Sequence, residues 1–268
     1  MLLYVGRPIR QSRRVQLLSY CWGVWTALAV IAVVCAFWHW GSVTLGALVL
    51  PGPIAVFERS ISLLQHYELA EIPQTLFRAS IAISAAVASG VVLGLLTGVS
   101  KTMALFCRPL ISMLLGIPPI IWVVLAIFWF NVGDSSTIFT TYIAVTPLMF
   151  ASALQGMLSI DRNLEELMSV YKVRFDKRLY HLYWPHLLTH LLPAFNIAFA
   201  MGLKIAIMAE LLGSPDGIGA QIGLARTMLE TEVVMAYIVI LLLIIYLVEY
   251  LLVEPLKIIF LPWDQGRG

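Results

Sequence analysis

Charge is the scarcest ingredient of this chain. Only 12% of its 268 residues are Asp, Glu, Lys or Arg, against about 25% in an ordinary globular domain. With 60% hydrophobic residues, that excludes a soluble enzyme or binding domain and defines a polytopic membrane protein, although the length alone would allow one or two soluble domains. The three cysteines, Cys21, Cys35 and Cys107, have no CxxC or metal-type spacing. They fall in or beside apolar runs, so buried packing is their expected role. No G-x-x-x-x-G-K-[ST] sequence occurs, so the chain has no such loop to cradle ATP phosphates. Gly217 and Gly219 make only a G-I-G after a Ser-Pro-Asp turn, which reads as loop punctuation. No Ser/His/Asp or paired-carboxylate spacing suggests catalysis. Internal repeats and low-complexity segments are missing too, including the inverted repeat of many secondary transporters.

What the chain does have is long apolar runs. A membrane span needs about 20 such residues, and the segments near 17–40, 75–99, 103–131, 137–159, 187–212 and 232–253 meet or approach that length. The first, Leu17 to Trp40, is too long for a signal-peptide core, and no small-x-small site follows it, so it is expected to stay as a span. The third is interrupted by Pro118-Pro119 within "LLGIPPIIWVVLAIFWF". Two readings fit that break: a simple kink, or a discontinuous helix lining a pathway, tolerated where protein or a water-filled cavity covers the freed backbone. Trp122, Trp129 and Phe130 follow; periodicity does not decide whether they line a path or face lipid.

Lys and Arg set the orientation. With a cytoplasmic N-terminus, thirteen of the 17 fall on that side, and Arg59, Arg78 and Arg226 fall on the other. Six spans with both termini inside are expected. Outside, 50–74 opens on Pro-Gly-Pro and continues as a short amphipathic stretch suited to the interface. Residues 213–232 read as a Gly-rich turn and a second short helix. The organisation is then an N-terminal tail and first span (1–50), an external amphipathic segment (51–74), a core (75–254) and a cytoplasmic tail (255–268).

The most highly charged stretch lies between spans four and five. Asn163 and Glu166 have the spacing of a capping box. Leu164, Leu167, Met168, Tyr171 and Phe175 form one apolar helical stripe, with Glu165, Glu166, Ser169, Lys172 and Asp176 off it. Asp176 would cap a second short helix, ended by Pro185. The sum is a cytoplasmic helical hairpin. It either lies on the lipid headgroups or docks a cytoplasmic protein; its mixed-sign face suits a protein better than an anionic bilayer. His186 and His190 are four apart, a spacing open to a metal, but without a well-placed third ligand they are read as boundary residues.

Lys204 stands mid-span, and Glu210 follows at the outer end. An intramembrane charge is a functional hypothesis by default. Lys204 either faces the path and attracts an anionic solute, or pairs within the structure or snorkels. Glu210 is read as an anchor of the outer gate through hydrogen bonds, at the end of the pathway set Pro118, Pro119, Trp122 and Lys204.

The order of these features resembles the binding-protein-dependent ABC importer permeases, in the branch serving taurine, alkanesulfonates and nitrate. "LPGPIAVFERSISLL", "TLFRASIAISAAVASGVVLGLLTGVSK", "RPLISMLLGIPPIIWVVLAIFWFNVGDSS" and "MAELLGSPDGIGAQIGLARTMLETEVVMAYIVI" carry the resemblance over about 50–263. It implies an all-α type I importer permease in a bacterial inner membrane, working as a pair of copies. The implied partners are cytoplasmic ABC ATPases that hold ATP and Mg, an external solute-binding protein, and lipid; nucleic acid is not a partner, and no cofactor sits on this chain. The family's coupling loop reads Glu-Ala-Ala, three residues, Gly, then a hydrophobic-Pro pair. Placed without gaps, Glu166 and Pro185 match it, while Leu167, Met168 and Lys172 replace Ala, Ala and Gly. The resemblance therefore implies that Glu166, Leu167, Met168, Tyr171, Lys172, Phe175 and Pro185 meet the ATPase, through a differently shaped groove and with a dedicated partner. A secondary transporter or channel without an ATPase is the alternative; a membrane enzyme fits least, for want of a polar cluster.

Overall fold

Two prolines in a row decide the shape of the third apolar segment. The computed structural model describes residues 13–67, 69–160 and 162–256. Arg7, Arg10, Lys257 and Arg267 of the charge count, and most of the C-terminal tail, lie outside them. So do the side chains of Cys21, Glu165 and Phe175, although all three sit in described backbone. Within the third segment, α4 (Lys101–Gly116) and α5 (Pro119–Phe130) are bent by 87°. A proline pushes the residue before it out of the helical region. Here two residues are pushed at once: Ile117 has ψ 123° and Pro118 ψ 134°. The segment is thus a discontinuous helix, not a kinked one. Pro119 then occupies the first turn of α5, where its missing N–H costs nothing.

The other segments each form a helix. They are α1 (Arg13–Leu45), α3 (Ile72–Gly98), α6 (Asp134–Leu158), α9 (Trp184–Gly213) and α11 (Thr231–Val248), the last continued by a π-helical turn. Among the described residues, four helices are long and apolar enough to cross a membrane, or five with the broken pair; Ala29–Leu45 is a shorter apolar helix. The amphipathic segment is α2 (Pro53–Gln65), and the Gly-rich turn leads into α10 (Ile218–Thr227). α2 rests on α11, where the Ser60 hydroxyl donates to Val56 O and reaches Ala236 O at 3.4 Å.

α3, α6 and α9 form the core, with α6 in the middle. Lipid is as apolar as leucine, so membrane helices associate by close packing rather than by hydrophobic expulsion, and small residues allow it. On α3, Gly90, Gly94 and Gly98 recur every four residues and lie on α6. A Cβ on Gly94 would meet Ala153 Cβ at 2.4 Å, and one on Gly90 would meet Met149 Cβ at 2.7 Å. On α9, Gly202 admits the Ile83 side chain in the same way. Ala86, Val145, Met149, Ala194 and Ala198 fill the middle of this sandwich. Cys35 is exposed and Cys107 only half-buried, which corrects the packing role expected for them. Beside a bilayer, a thiol needs no protein around it to escape water.

The hairpin consists of α7 (Arg162–Val170), a turn, α8 (Phe175–Arg178) and a π-helical turn (Leu179–Tyr183) that runs directly into α9. Two expectations change. Asn163 lies inside the first turn of α7 rather than at its cap. Pro185 does not end a helix; it sits in the first turn of α9, a position that proline tolerates.

Candidate functional site

The described residues show two polar constructions, one at each end of the core. The first is built on Arg78, which is 1% exposed near the start of α3. A guanidinium offers five N–H donors in a planar fork. Here every nitrogen is used. Nε donates to Asp134 Oδ1 at 2.9 Å, and Nη1 donates to Glu210 Oε1 at 3.0 Å and to the Asp216 carbonyl at 3.1 Å. Nη2 donates to the carboxylates of Asp134 and Asp216. Glu210 is fully buried. It also accepts from the Thr75 hydroxyl at 2.7 Å and from the Gly219 N–H at 3.1 Å. Thr75 in turn accepts from Ile218 N at 2.8 Å, and Glu71 accepts from Gly217 N.

This network explains the G-I-G. Gly217 has φ +100°, and a Cβ there would lie 2.4 Å from the Glu210 carboxyl carbon; one on Gly219 would lie 2.3 Å from Ile207 O. The loop needs glycine so that its backbone can close over a buried carboxylate. The Gly133 N–H donates to Gly213 O at 2.8 Å, which ties the start of α6 to the end of α9. Glu210 is held at the end of α9 by hydrogen bonds from Thr75, Arg78 and Gly219. Arg78, its main partner, was counted in the sequence only as an outer-side cation.

Asp216 stands in the loop and is partly exposed. Its hydrogen bonds from Arg78 hold its carboxyl below the usual carboxylate range, against a smaller opposing effect of burial. A carboxylate depressed in the folded state stabilises above its unfolded pKa and loses that contribution as pH falls through its folded value. Asp216→Asn should therefore melt at lower temperature than the native protein at neutral pH. The gap should close on acidification below the ordinary carboxylate range. Thermal scans from neutral to acidic pH check this; a gap that stays constant would show that the Asp216 charge contributes nothing.

The second construction is the hairpin turn. Lys172 has φ +50°. Lys172 N donates to Ser169 O and Val173 N to Met168 O, each at 3.0 Å. This pair of bonds closes the end of α7 around a left-handed residue, the arrangement for which glycine is preferred. The glycine-type turn is therefore kept with lysine in the glycine's place. Arg178 holds it: Nε donates to Val173 O at 2.8 Å and Nη2 to Met168 O at 3.1 Å. A cation at a helix C-terminus is also favoured by the helix dipole, and that was the only sequence signal for its role. Lys172→Gly should relieve about 1 kcal/mol of left-handed strain and slow amide exchange across 170–174. Arg178→Gln, which loses two charge-assisted bonds at a half-buried site, should speed it by about tenfold. Exchange that ignores both changes would reject the clamp.

The remaining sequence candidates lie as follows. Glu166 and Leu167 of α7 and Tyr171 just past its end are exposed, and Met168 is half-buried; among the described residues nothing covers their stripe. Lys204 is exposed on α9 and, among the described residues, has no hydrogen-bond or ion-pair partner. It shares that uncovered face of α9 with Pro193, Ile197 and Leu211. The Trp122 carbonyl accepts from Thr140 of α6 at 3.5 Å, and Trp129 packs edge-on against Phe139. Pro118 is exposed at the break and Pro119 half-buried. His186 and His190 both reach the Ser159 hydroxyl at 3.0 Å.

Closely packed apolar helices, one of them broken, and a hairpin on the ends of two of them define a multi-span membrane subunit. The family of binding-protein-dependent transport system inner membrane components matches residues 90–254, and the chain belongs to that family. It is 28% identical to the taurine transport system permease protein of Escherichia coli, over 88% of this chain and 89% of that one. The putative aliphatic sulfonates transport permease protein of Bacillus subtilis is 26% identical, over 82% of this chain and 80% of its own. The nitrate import permease protein of Synechocystis is 25% identical, over 70% and 73%. The fold is shared with a methionine ABC transporter in inward-facing conformations (TM-score 0.56, 19% identity, 66% of this chain and 88% of that one). It is shared also with an amino acid ABC transporter (TM-score 0.53, 15% identity, 77% and 97%). The chain is a permease subunit of an ABC importer, and as such works with an ATPase and a solute-binding protein.

Proposed function

We propose that two copies of this chain form the pathway of a bacterial inner-membrane importer for a small anion, switching between inward and outward access. Lys204 carries the anion reading. It is a cation in the middle of a span, exposed and without a partner among the described residues. Such a charge is costly in hydrocarbon and is expected to face water or protein. Sulfonates and nitrate, named for two of the relatives, are anions. The termini are cytoplasmic by the Lys/Arg distribution, and six spans follow. The uncovered stripe Leu164, Leu167 and Tyr171, with Met168 beside it, supports docking of the ATPase on the hairpin. ATP and Mg reside on that partner, and no cofactor resides here. Leu167 and Met168, larger than the family's alanines, favour a dedicated ATPase.

The test is uptake in proteoliposomes holding the whole importer. Lys204→Glu juxtaposes like charges with an anionic solute, a cost of several kcal/mol, so uptake should fall by about 100-fold or more while the ATPase stays bound. Lys204→Arg should retain most of it. Equal uptake by native protein and Lys204→Glu would remove Lys204 from the path. Uptake driven by an ion gradient without ATP would overturn the importer reading.

A further inference from the structure

A cavity of about 970 Å³ opens where α3, α6 and α9 end beside the hairpin. Its walls are apolar: Leu95, Leu96 and Val99 of α3 and its end, Leu158 of α6 and Leu187 of α9. Its rim is different. Lys101 opens α4, Asp176 belongs to α8, and Tyr180 and Trp184 lie between α8 and the body of α9. Lys101 makes no ion pair among the described residues. Among the described residues Asp176 has only a loose, exposed pairing with Arg174 at 3.4 Å. Apolar depth with one cation, one anion and a Tyr/Trp edge at the ends of membrane spans matches the layering of a bilayer surface.

We propose that this cavity holds one phospholipid with an ethanolamine headgroup. The acyl portion lies against Leu95, Leu96, Leu158 and Leu187. The phosphate pairs with Lys101, and the primary ammonium donates to Asp176. A choline headgroup has no N–H to give that carboxylate, whereas charge-assisted N–H···O bonds are the strong ones. An anionic glycerol headgroup brings a phosphate without a cation for Asp176. None of Glu166, Leu167, Met168, Tyr171, Lys172, Pro185 and Lys204 lines the cavity. A lipid there is thus compatible with both the ATPase and the solute. Asp176 and Tyr180 belong to the hairpin's second arm, so the lipid braces that arm against the ends of α3 and α6.

The proposal rests on the cytoplasmic placement of the hairpin, and one experiment separates the two. The whole importer, with its ATPase, is placed in nanodiscs of equal ethanolamine, choline and glycerol phospholipids and then read by native mass spectrometry. One ethanolamine lipid per permease copy is expected to remain bound. Val99→Trp, which fills the cavity from an exposed position, should lower its occupancy by about tenfold with the ATPase retained. Leu96→Trp fills the same space and replaces it if Val99→Trp does not assemble. Asp176→Asn should keep a lipid but erase about threefold or more of the preference for ethanolamine. Native complex with ATPase but no bound lipid, undiminished lipid in both Trp variants, or ATPase released by them would overturn the proposal. Failure of the native chain to retain an ATPase would instead be a failure of the functional reading.

Discussion

Arg78→Met will not give a stable permease. The substitution removes all five N–H donors at once and leaves Glu210, fully buried, without its counter-charge. Breaking a buried pair from one side costs about 3–5 kcal/mol, a large part of the 5–15 kcal/mol that typically holds a domain folded. Thermal unfolding of the purified importer should show a loss of that size, and labelling of a cysteine placed at Ser214 should become fast as the loop after α9 opens. Arg78→Lys should fall between, because one ammonium cannot span three carboxylates. Pairing Arg78→Met with Glu210→Gln should recover most of the loss. The buried charge is then gone, and the glutamine carbonyl still accepts from Thr75 and Gly219. If Arg78→Met melts like the native protein, the network does not hold this end of the core together.

Gly94→Leu will separate α3 from α6. Even a single methyl at Gly94 would lie 2.4 Å from Ala153 Cβ and 2.9 Å from the backbone of Phe150 and Leu154. Backbone on the far side cannot swing away as a long side chain can. Overpacking of a tight core costs about 1–3 kcal/mol, and leucine adds three more carbons beyond the first. Gly94→Ala should lower the melting temperature by several degrees, on the usual scale of roughly 2–4 °C per kcal/mol for a chain near this size. Gly94→Leu should abolish the folded, monodisperse protein. Substitution of Gly116, where an added Cβ meets nothing within 4 Å, is the control and should change little. Similar losses at both glycines would mean that helix propensity, and not the α3–α6 contact, sets the requirement.

The helices were readable because apolar length is a local property. Each run near 20 residues became a helix, and the paired prolines announced their break through the restriction they place on the residues before them. The amphipathic helix α2 and the Gly-rich turn were legible for the same reason. The Arg78 network was not. Asp134, Glu210 and Asp216 stand 56, 132 and 138 residues away from it in sequence, and counting charges by membrane side says nothing of which ones pair. Lys172 shows the opposite case. Its residue type argues against the turn it adopts, but two backbone bonds and the Arg178 clamp outweigh a strain of about 1–2 kcal/mol. Pro185 likewise reads as a stop and serves as a start, because the π-helical turn ahead of it is set by the joint between hairpin and span, which no local pattern encodes.

The glycines that seat α3 and α9 on their neighbours leave no room for one helix to slide past another. Arg78 ties one end of the same three helices together, so they cannot splay there. A body that can neither shear nor spread has only rotation left. The hairpin springs from two of its three members, so a force applied there turns the whole body as a crank turns a shaft. α5 belongs to that body, since Val123 and Ala126 are buried and Trp129 packs on Phe139 of α6. A load on the hairpin is then shared by the packed core as one piece.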